Sequence, residues 1–237
     1  MQRRSLLGAA SAAALARPAR ASSPALVLVE LFTSQGCSSC PSADASFARL
    51  VGRADVLPLA YHVTYWDRLG WRDTLGNPAF TERQRWYADL LGRGLYTPQL
   101  VIGGELDLVG SDPRLEQALE LVAGQRRPVP LDLDGAGIAL PALPLANAAR
   151  LLGIGFEPLR RVSIGAGENA GATIDYHNAV RALVDLGAWD GTRQQIALPS
   201  GLTIYPDLAV LAQDPSTGRV VALGRRTVPA ARPGALL

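Results

Sequence analysis

The first half of the chain alternates between the patterns of buried strands and of helices. Ala25–Leu31 is an apolar run of the kind found in a strand covered on both faces, and Asp55–Val63 has the same character. Between them, the apolar residues of Asp44–Val51 recur at helical spacing. Asn77–Leu91 predicts a longer helix, because it opens with an asparagine suited to the N-cap and a proline suited to the first turn.

A hairpin and a last helix complete this half. Gln99–Ile102 and Glu105–Val109 are separated by two glycines and predict antiparallel strands. Ser111-Asp112-Pro113 then opens a segment with leucines and valine at helical spacing. Residues 24–124 are therefore predicted to have the order β-α-β-α-β-β-α.

The pattern changes near residues 124–128, after which short alternating segments are separated by Asp, Gly and Pro turns. The predicted strands are Val129–Leu133, Gly137–Leu140, Arg150–Phe156, Arg160–Ser163, Ala172–Leu186, Gln194–Leu198, Leu208–Gln213 and Val220–Arg226. Many short strands with regular turns are typical of a β-sandwich. We therefore predict an α/β domain over residues 24–124 and an all-β, sandwich-like domain over residues 128–237.

The N-terminus has the features of an export signal. Arg3 and Arg4 precede the short apolar stretch Leu6–Ala16, and Ala19-Arg20-Ala21 offers a small-x-small cleavage site. The stretch is too short to cross a bilayer, which needs about 20 apolar residues. We expect residues 1–21 to be removed and the protein to be periplasmic or secreted, by the general or the twin-arginine route.

The distribution of charge along the chain argues against a nucleic-acid partner. Residues 1–21 contain four arginines and no acid, so their removal changes the net charge from +2 to −2. No clustered basic face remains for nucleic acid, and we predict no such partner. No later segment is apolar enough to predict a membrane span. The chain has no lysine, which excludes lysine Schiff-base chemistry.

The two cysteines are the main candidates for chemistry. Cys37 and Cys40 are the only cysteines in the chain and form a Cys-Ser-Ser-Cys motif after the first predicted strand. A disulfide between them would close a very short loop and remove little entropy from the unfolded chain. Redox chemistry or metal binding therefore explains them better than stabilisation of the fold, although an inert disulfide is the alternative. We assign Cys37 as nucleophile, because a helix start lowers a thiol pKa, and Cys40 as the resolving thiol.

The motif and a later proline together carry a resemblance. Thr97-Pro98 directly precedes the strand Gln99–Ile102, and with the Cys-x-x-Cys pair it makes residues 25–124 resemble a thioredoxin-like domain. The resemblance implies that Pro98 is cis and packs against the disulfide. It also implies that Thr97 and Pro98 shape the groove in which an extended substrate strand docks.

A more specific resemblance covers the whole sequence. The segments that carry it are Val29–Pro41, His62–Asp67, Phe80–Arg85, Tyr96–Gln99 and Glu168–Gly171. In these segments the chain resembles domain-of-unknown-function family 1223, a group of exported bacterial proteins. The family name implies no activity. By analogy it implies the fold and thiol–disulfide chemistry, and fold analogy alone does not establish a function.

Residues after the second predicted strand are further candidates. In a parallel sheet, His62 and Asp67 would lie at the same rim as the cysteines, His62 as a proton shuttle and Asp67 as a buried base. Trp66 and Trp71 would wall the site. A core role is the alternative for each. Cys37, Cys40 and His62 would also make a three-ligand set for Cu(I) or Zn, a less favoured hypothesis.

These observations predict an exported thiol–disulfide oxidoreductase that acts on a protein or small molecule bearing a thiol or disulfide. We predict no cofactor and no resident metal. The rival hypotheses are a non-catalytic binding module with a structural disulfide and a Cu(I) or Zn metallochaperone. The motif does not decide the redox direction.

Overall fold

The computed structural model describes residues 26–125, 127–134 and 137–227; the predicted export signal lies outside them. The strands are β1 (Val27–Thr33), β2 (Val56–His62), β3 (Gln99–Ile102), β4 (Leu106–Val109), β5 (Val129–Pro130), β6 (Asp132–Asp134), β7 (Gly137–Leu140), β8 (Ala149–Ser163), β9 (Thr173–Trp189), β10 (Gln194–Ala197), β11 (Asp207–Gln213) and β12 (Val220–Thr227). The α-helices are α1 (Cys40–Ala48), α2 (Pro78–Leu91), α3 (Leu115–Gly124) and α4 (Ser200–Thr203). Among the described helices, none is long and apolar enough to cross a membrane.

Nine strands form one mixed sheet in the order β4-β3-β1-β2-β9-β8-β11-β12-β5. β1 runs parallel to β2, to which α1 connects it, and antiparallel to β3. Every residue of β1 and β2 is buried, as their apolar runs predict. A strand buried on both faces needs a hydrogen-bonded neighbour on each edge, and β9 supplies the second neighbour of β2, with Ala60 opposite Ala179.

This continuous sheet corrects the predicted fold class. The prediction of an α/β thioredoxin-like domain followed by an all-β sandwich is wrong, because strands from both halves share one sheet. Two long strands make the connection: β8 and β9 have 15 and 17 residues and pair along their length. We predicted a break within β8, whereas the strand continues through Pro158. Where the chain divides into domains remains a prediction.

A second contact joins the halves at two tight turns. Gly104 follows β3 and Gly218 precedes β12, and both have positive φ angles of 82° and 81°. A Cβ added to Gly104 would lie 1.9 Å from the carbonyl oxygen of Gly218, so only glycine allows this approach. The amide of Val220 also donates to the carbonyl of Gly103 over 3.0 Å.

The helices cover opposite faces of the sheet, as the alternation of side chains in a strand requires. Val29 and Leu31 of β1 point toward α1 and α3, in a core that includes Phe47. Leu28 and Phe32 point the other way, into the core that holds α2. A small second sheet, in the order β10-β7-β6, packs its apolar residues against the C-terminal part of the large sheet.

A buried ion pair fixes α2 to the sheet. Arg83 donates from Nε and Nη2 to the two carboxylate oxygens of Glu30, over 2.6 and 2.8 Å. The hydroxyl of Tyr87 also donates to Glu30, and Gln213 of β11 accepts from Arg83. The predicted cap of this helix is confirmed, because the side chain of Asn77 accepts from the amide of Ala79.

Candidate functional site

Cys37 and Cys40 form a disulfide in the loop between β1 and α1, with their Cα atoms 5.4 Å apart. Cys40 is the first residue of α1, which therefore begins four residues before the predicted helix at Asp44. Both cysteines are buried, at 1% and 0% exposure, whereas the two serines between them are exposed. The hydroxyl of Ser39 lies 3.4 Å from the sulfur of Cys37. The oxidised sulfurs are thus shielded by protein, while the two serines between them face solvent.

The loop before β3 contributes the predicted proline. The Thr97–Pro98 peptide bond is cis, as the resemblance implied. Gly110 lies against both Pro98 and Ala43 of α1, where an added Cβ would come within 2.8 and 2.6 Å of their Cβ atoms. Pro98 therefore packs on the same side of the sheet as α1, the helix that begins at Cys40.

Both predicted tryptophans lie against the loops at this edge. Trp66 donates from Nε1 to the hydroxyl of Thr97 over 2.8 Å, and its side chain contacts Gly36, next to Cys37. Trp71 donates to the side-chain oxygen of Gln35 over 2.8 Å. These hydrogen bonds connect the segment after β2 to the disulfide loop and to the loop of Pro98.

His62 is buried at the end of β2 and is held by an acid that the sequence analysis did not single out. Its Nδ1 donates to Asp73 over 2.8 Å, and neither side chain is exposed. The other ring nitrogen, Nε2, is buried without a hydrogen-bond partner among the described residues. The ring packs edge-on against Tyr176 of β9, with centroids 4.7 Å apart.

Asp73 also joins this pair to the disulfide loop. It accepts hydrogen bonds from the amides of Gln35 and Leu75, over 2.8 and 2.9 Å. Burial raises the pKa of Asp73, but attraction to His62 and these hydrogen bonds outweigh burial and leave the pKa below its usual value. Asp73 is therefore a carboxylate at neutral pH.

A second buried acid lies on α1. Asp44 follows Cys40 by four residues, so both side chains are on one face of the helix. Burial raises the pKa of Asp44 to about 7, against the opposing influence of His62 and of a 3.2 Å hydrogen bond from Thr33. Repulsion from Asp73 adds to the increase. Near neutral pH, Asp44 can therefore either donate or accept a proton.

Asp67, predicted as the buried base, is only partly buried and lies in a 3₁₀ turn, Asp67–Leu69. It accepts from the amide of Asp73 over 3.1 Å, and burial raises its pKa. Its observed contact therefore supports the acid that holds His62.

The far end of the β8–β9 hairpin contacts the disulfide loop. Glu168 accepts from the amide of Ser38 over 3.1 Å. Asn169 donates through its side-chain nitrogen to the carbonyls of Gln35 and Cys37, each over 2.9 Å. Residues 130 positions away in sequence thus fix the backbone around the nucleophile predicted from the motif.

The family model described as "Protein of unknown function (DUF1223)" matches residues 28–212. The chain belongs to the DUF1223 family. It is similar to the crystal structure of protein AGR_C_4864 from Agrobacterium tumefaciens, with 31% identity, a TM-score of 0.75, and coverage of 87% of this chain and 96% of that one. No curated protein matches it.

A second solved structure has a similar fold. HBP35 of Porphyromonas gingivalis is 14% identical, with a TM-score of 0.58 over 92% of this chain and 80% of that one. At this identity the similarity concerns the fold alone.

The site of this DUF1223 protein includes residues that the sequence analysis missed. Asp44 offered a signal, because an acid four residues after Cys40 lies on the same face of a helix that begins at the cysteine. Asp73 offered none, since its contact with His62 depends on the path of an irregular segment. Glu168 and Asn169 were noted only as part of the family resemblance, and their contact is long-range.

In the part of the chain that the structure describes, no three His, Cys, Asp or Glu side chains are grouped so that they could hold a metal ion. A cavity of about 360 Å³ lies beside α2, lined by residues that include Arg83, Trp86 and Leu183. α2 packs on the sheet face opposite α1, so this cavity is separate from the disulfide.

Proposed function

We propose that this DUF1223 protein exchanges thiols and disulfides with a protein or small-molecule partner through Cys37 and Cys40. The observation that carries the proposal is the disulfide at the start of α1 with the buried acid Asp44 one helical turn beyond Cys40. A proton donor or acceptor acts best when its pKa lies near the working pH, and that of Asp44 is about 7. A disulfide that only stabilised the fold would need no such group.

The exchange proceeds through two successive attacks by partner thiolates. A partner thiolate attacks the sulfur of Cys37, so a mixed disulfide forms while the Cys37–Cys40 bond breaks and Cys40 leaves as a thiolate. Cys40 then takes a proton from Asp44. A second partner thiolate attacks the partner's sulfur in the mixed disulfide, which releases the partner as a disulfide and Cys37 as a thiolate. In the reverse direction, Asp44 accepts the proton of Cys40 before Cys40 resolves the mixed disulfide.

Other predicted residues have supporting roles in this proposal. His62 is the predicted proton shuttle, because its Nε2 has no hydrogen-bond partner among the described residues and its ring influences the pKa of Asp44 electrostatically. Trp66, Thr97 and Pro98 line the rim on which a substrate strand docks. The partner must displace protein atoms to reach the sulfur, because Cys37 is 1% exposed in the oxidised form.

That burial also favours the second candidate, a binding module with a structural disulfide. Buried sulfurs resist attack, and a disulfide that serves only the fold has a reduction potential below about −300 mV. The two candidates therefore predict different potentials for one bond. In either case we propose that the protein is exported, as its N-terminal segment predicts, into a compartment where disulfides persist.

The reduction potential of Cys37–Cys40, measured by equilibration with glutathione and thiol trapping, tests the proposal. We expect a reversible value between about −120 and −270 mV, the range of known exchange catalysts. Cys37→Ser should abolish exchange, and Cys40→Ser should accumulate mixed disulfides. A potential below about −300 mV would favour the binding module instead, and full turnover by Cys37→Ser would refute the assignment of Cys37 as the nucleophile.

A further inference from the structure

The side chain of Glu168 accepts a hydrogen bond from the backbone amide that follows Cys37. The amide of Ser38, the residue that follows Cys37, donates to the carboxylate of Glu168 over 3.1 Å. This hydrogen bond lowers the pKa of Glu168, so the group is charged at neutral pH. A negative charge and an occupied N–H therefore lie beside the thiol that must become a thiolate.

Thiolates are stabilised by nearby positive charge and by free N–H groups. Glu168 acts against both kinds of stabilisation, because it brings a negative charge and uses the amide of Ser38. Arg68 is the cation that interacts with Glu168 from the 3₁₀ turn. The other titratable groups around the loop, Asp44, Asp73 and His62, lie buried beneath it, and Asp73 accepts from the amide of Gln35.

We propose that Glu168 is a positioning residue that disfavours the Cys37 thiolate and so favours the disulfide form. The importance of Glu168 in exchange rests on the proposed function. Its effect on the Cys37 thiolate can be tested by titration of that thiol alone. The two residues at the end of the hairpin have different roles. Asn169 anchors the hairpin to the disulfide loop through two neutral hydrogen bonds, and Glu168 adds a negative charge.

The thiol of Cys37 can be titrated directly by the ultraviolet absorbance of its thiolate in a Cys40→Ser background. Glu168→Gln keeps an acceptor for the amide of Ser38 but removes the charge. We expect it to raise the acid dissociation constant of Cys37 about threefold, as for one exposed charge. Glu168→Ala also frees the amide, and should raise the constant further. Salt at about 1 M should abolish the effect of Glu168→Gln, because it screens exposed charges.

Asp175→Asn is the matched control, since Asp175 is a carboxylate on the same hairpin that pairs with Arg161 rather than with the disulfide loop. It should leave the thiol of Cys37 unchanged. If Glu168 served only as a clamp, Glu168→Gln would titrate like the parent protein, and the proposal would be overturned. Equal effects of Glu168→Gln and Asp175→Asn would overturn it as well.

The same substitutions, made with both cysteines present, change the equilibrium in which the disulfide and two glutathione molecules give the dithiol and oxidised glutathione. Above the pKa of the Cys37 thiol, Glu168→Gln should favour the dithiol about threefold, which corresponds to about 14 mV. Below that pKa the effect should vanish, because the thiol is neutral. If the parent potential falls below about −300 mV, the proposed function fails, and the titration of Cys37 still decides the role of Glu168.

Discussion

Asp44 lies one helical turn beyond Cys40 on α1 and is buried together with it. The exchange mechanism assigns Asp44 the proton that enters or leaves Cys40. Asp44→Asn should therefore slow glutathione-dependent reduction and reoxidation by about a hundredfold at pH 7, the lower part of the range for a positioned acid or base. Stopped-flow measurement of the rates at which the dithiol form appears on reduction and disappears on reoxidation would test this.

The control for that experiment is Asp89→Asn, which removes an exposed carboxylate from α2 and should leave the rate unchanged. An unchanged rate in Asp44→Asn would show that Cys40 exchanges its proton with solvent.

The charge of Asp44 also affects the stability of the fold. Its pKa is about 7 in the folded protein and about 3.8 in the unfolded chain, so the folded state holds more protons between these values. Stability from this group is therefore present at low pH and is lost as pH rises from about 4 to about 7, by at most about 4 kcal/mol. Asp44→Asn should remove this loss.

Urea unfolding of both proteins at several pH values would measure the effect. Relative to the parent protein, Asp44→Asn should become more stable as pH rises. A constant difference between the two proteins from pH 4 to pH 8 would contradict the assignment.

Asp73 is the acid on which the organisation of the site depends. Asp73→Asn leaves one fewer oxygen acceptor for His62 and the amides of Gln35 and Leu75, all of which are buried. We expect a loss of about 1.5–3 kcal/mol in the free energy of unfolding, as for buried hydrogen bonds to a charged group. Denaturant unfolding with Asp89→Asn as control should show it, because Asp89 is exposed on α2. Equal denaturant midpoints of unfolding for Asp73→Asn and its control would contradict this prediction.

The ion pair under α2 provides a fourth prediction. Arg83→Met leaves the carboxylate of Glu30 buried without its cation, and removal of one partner of such a pair costs about 3–5 kcal/mol. Adding Glu30→Gln should recover part of the loss, because no buried charge remains. Arg85→Met is the control, since Arg85 is exposed on the same helix. A double variant less stable than Arg83→Met would contradict this reasoning.

Local signals in the sequence predicted the elements better than their arrangement. β1 and β2 followed from apolar runs, α2 from its Asn-Pro start, and the cis bond before Pro98 from a family resemblance. The two strands and the helix depend on neighbours within a few residues, whereas the cis bond was implied by a resemblance that combines Thr97-Pro98 with the distant Cys-x-x-Cys pair. The fold class was wrong because no local pattern states which strand lies beside which.

The join between β2 and β9 illustrates the difficulty. It depends on one facing pair, Ala60 and Ala179, and on Asn178, whose side chain donates to the carbonyl of Pro58 over 2.8 Å. Asn178 has a φ of 46°, a conformation that asparagine tolerates better than most residues but that its sequence does not impose. The same limit applies to the site, because Asp44 is local to Cys40 whereas Asp73, Glu168 and Asn169 reach the disulfide loop only through the tertiary fold.

The two hydrogen bonds from Asn169 also impose an order of events during synthesis. Cys37 leaves the ribosome 132 residues before the asparagine that fixes its backbone. Until the β8–β9 hairpin is complete, the carbonyl of Cys37 lacks this partner. The backbone around the disulfide therefore reaches its final hydrogen bonding only after most of the chain has been made.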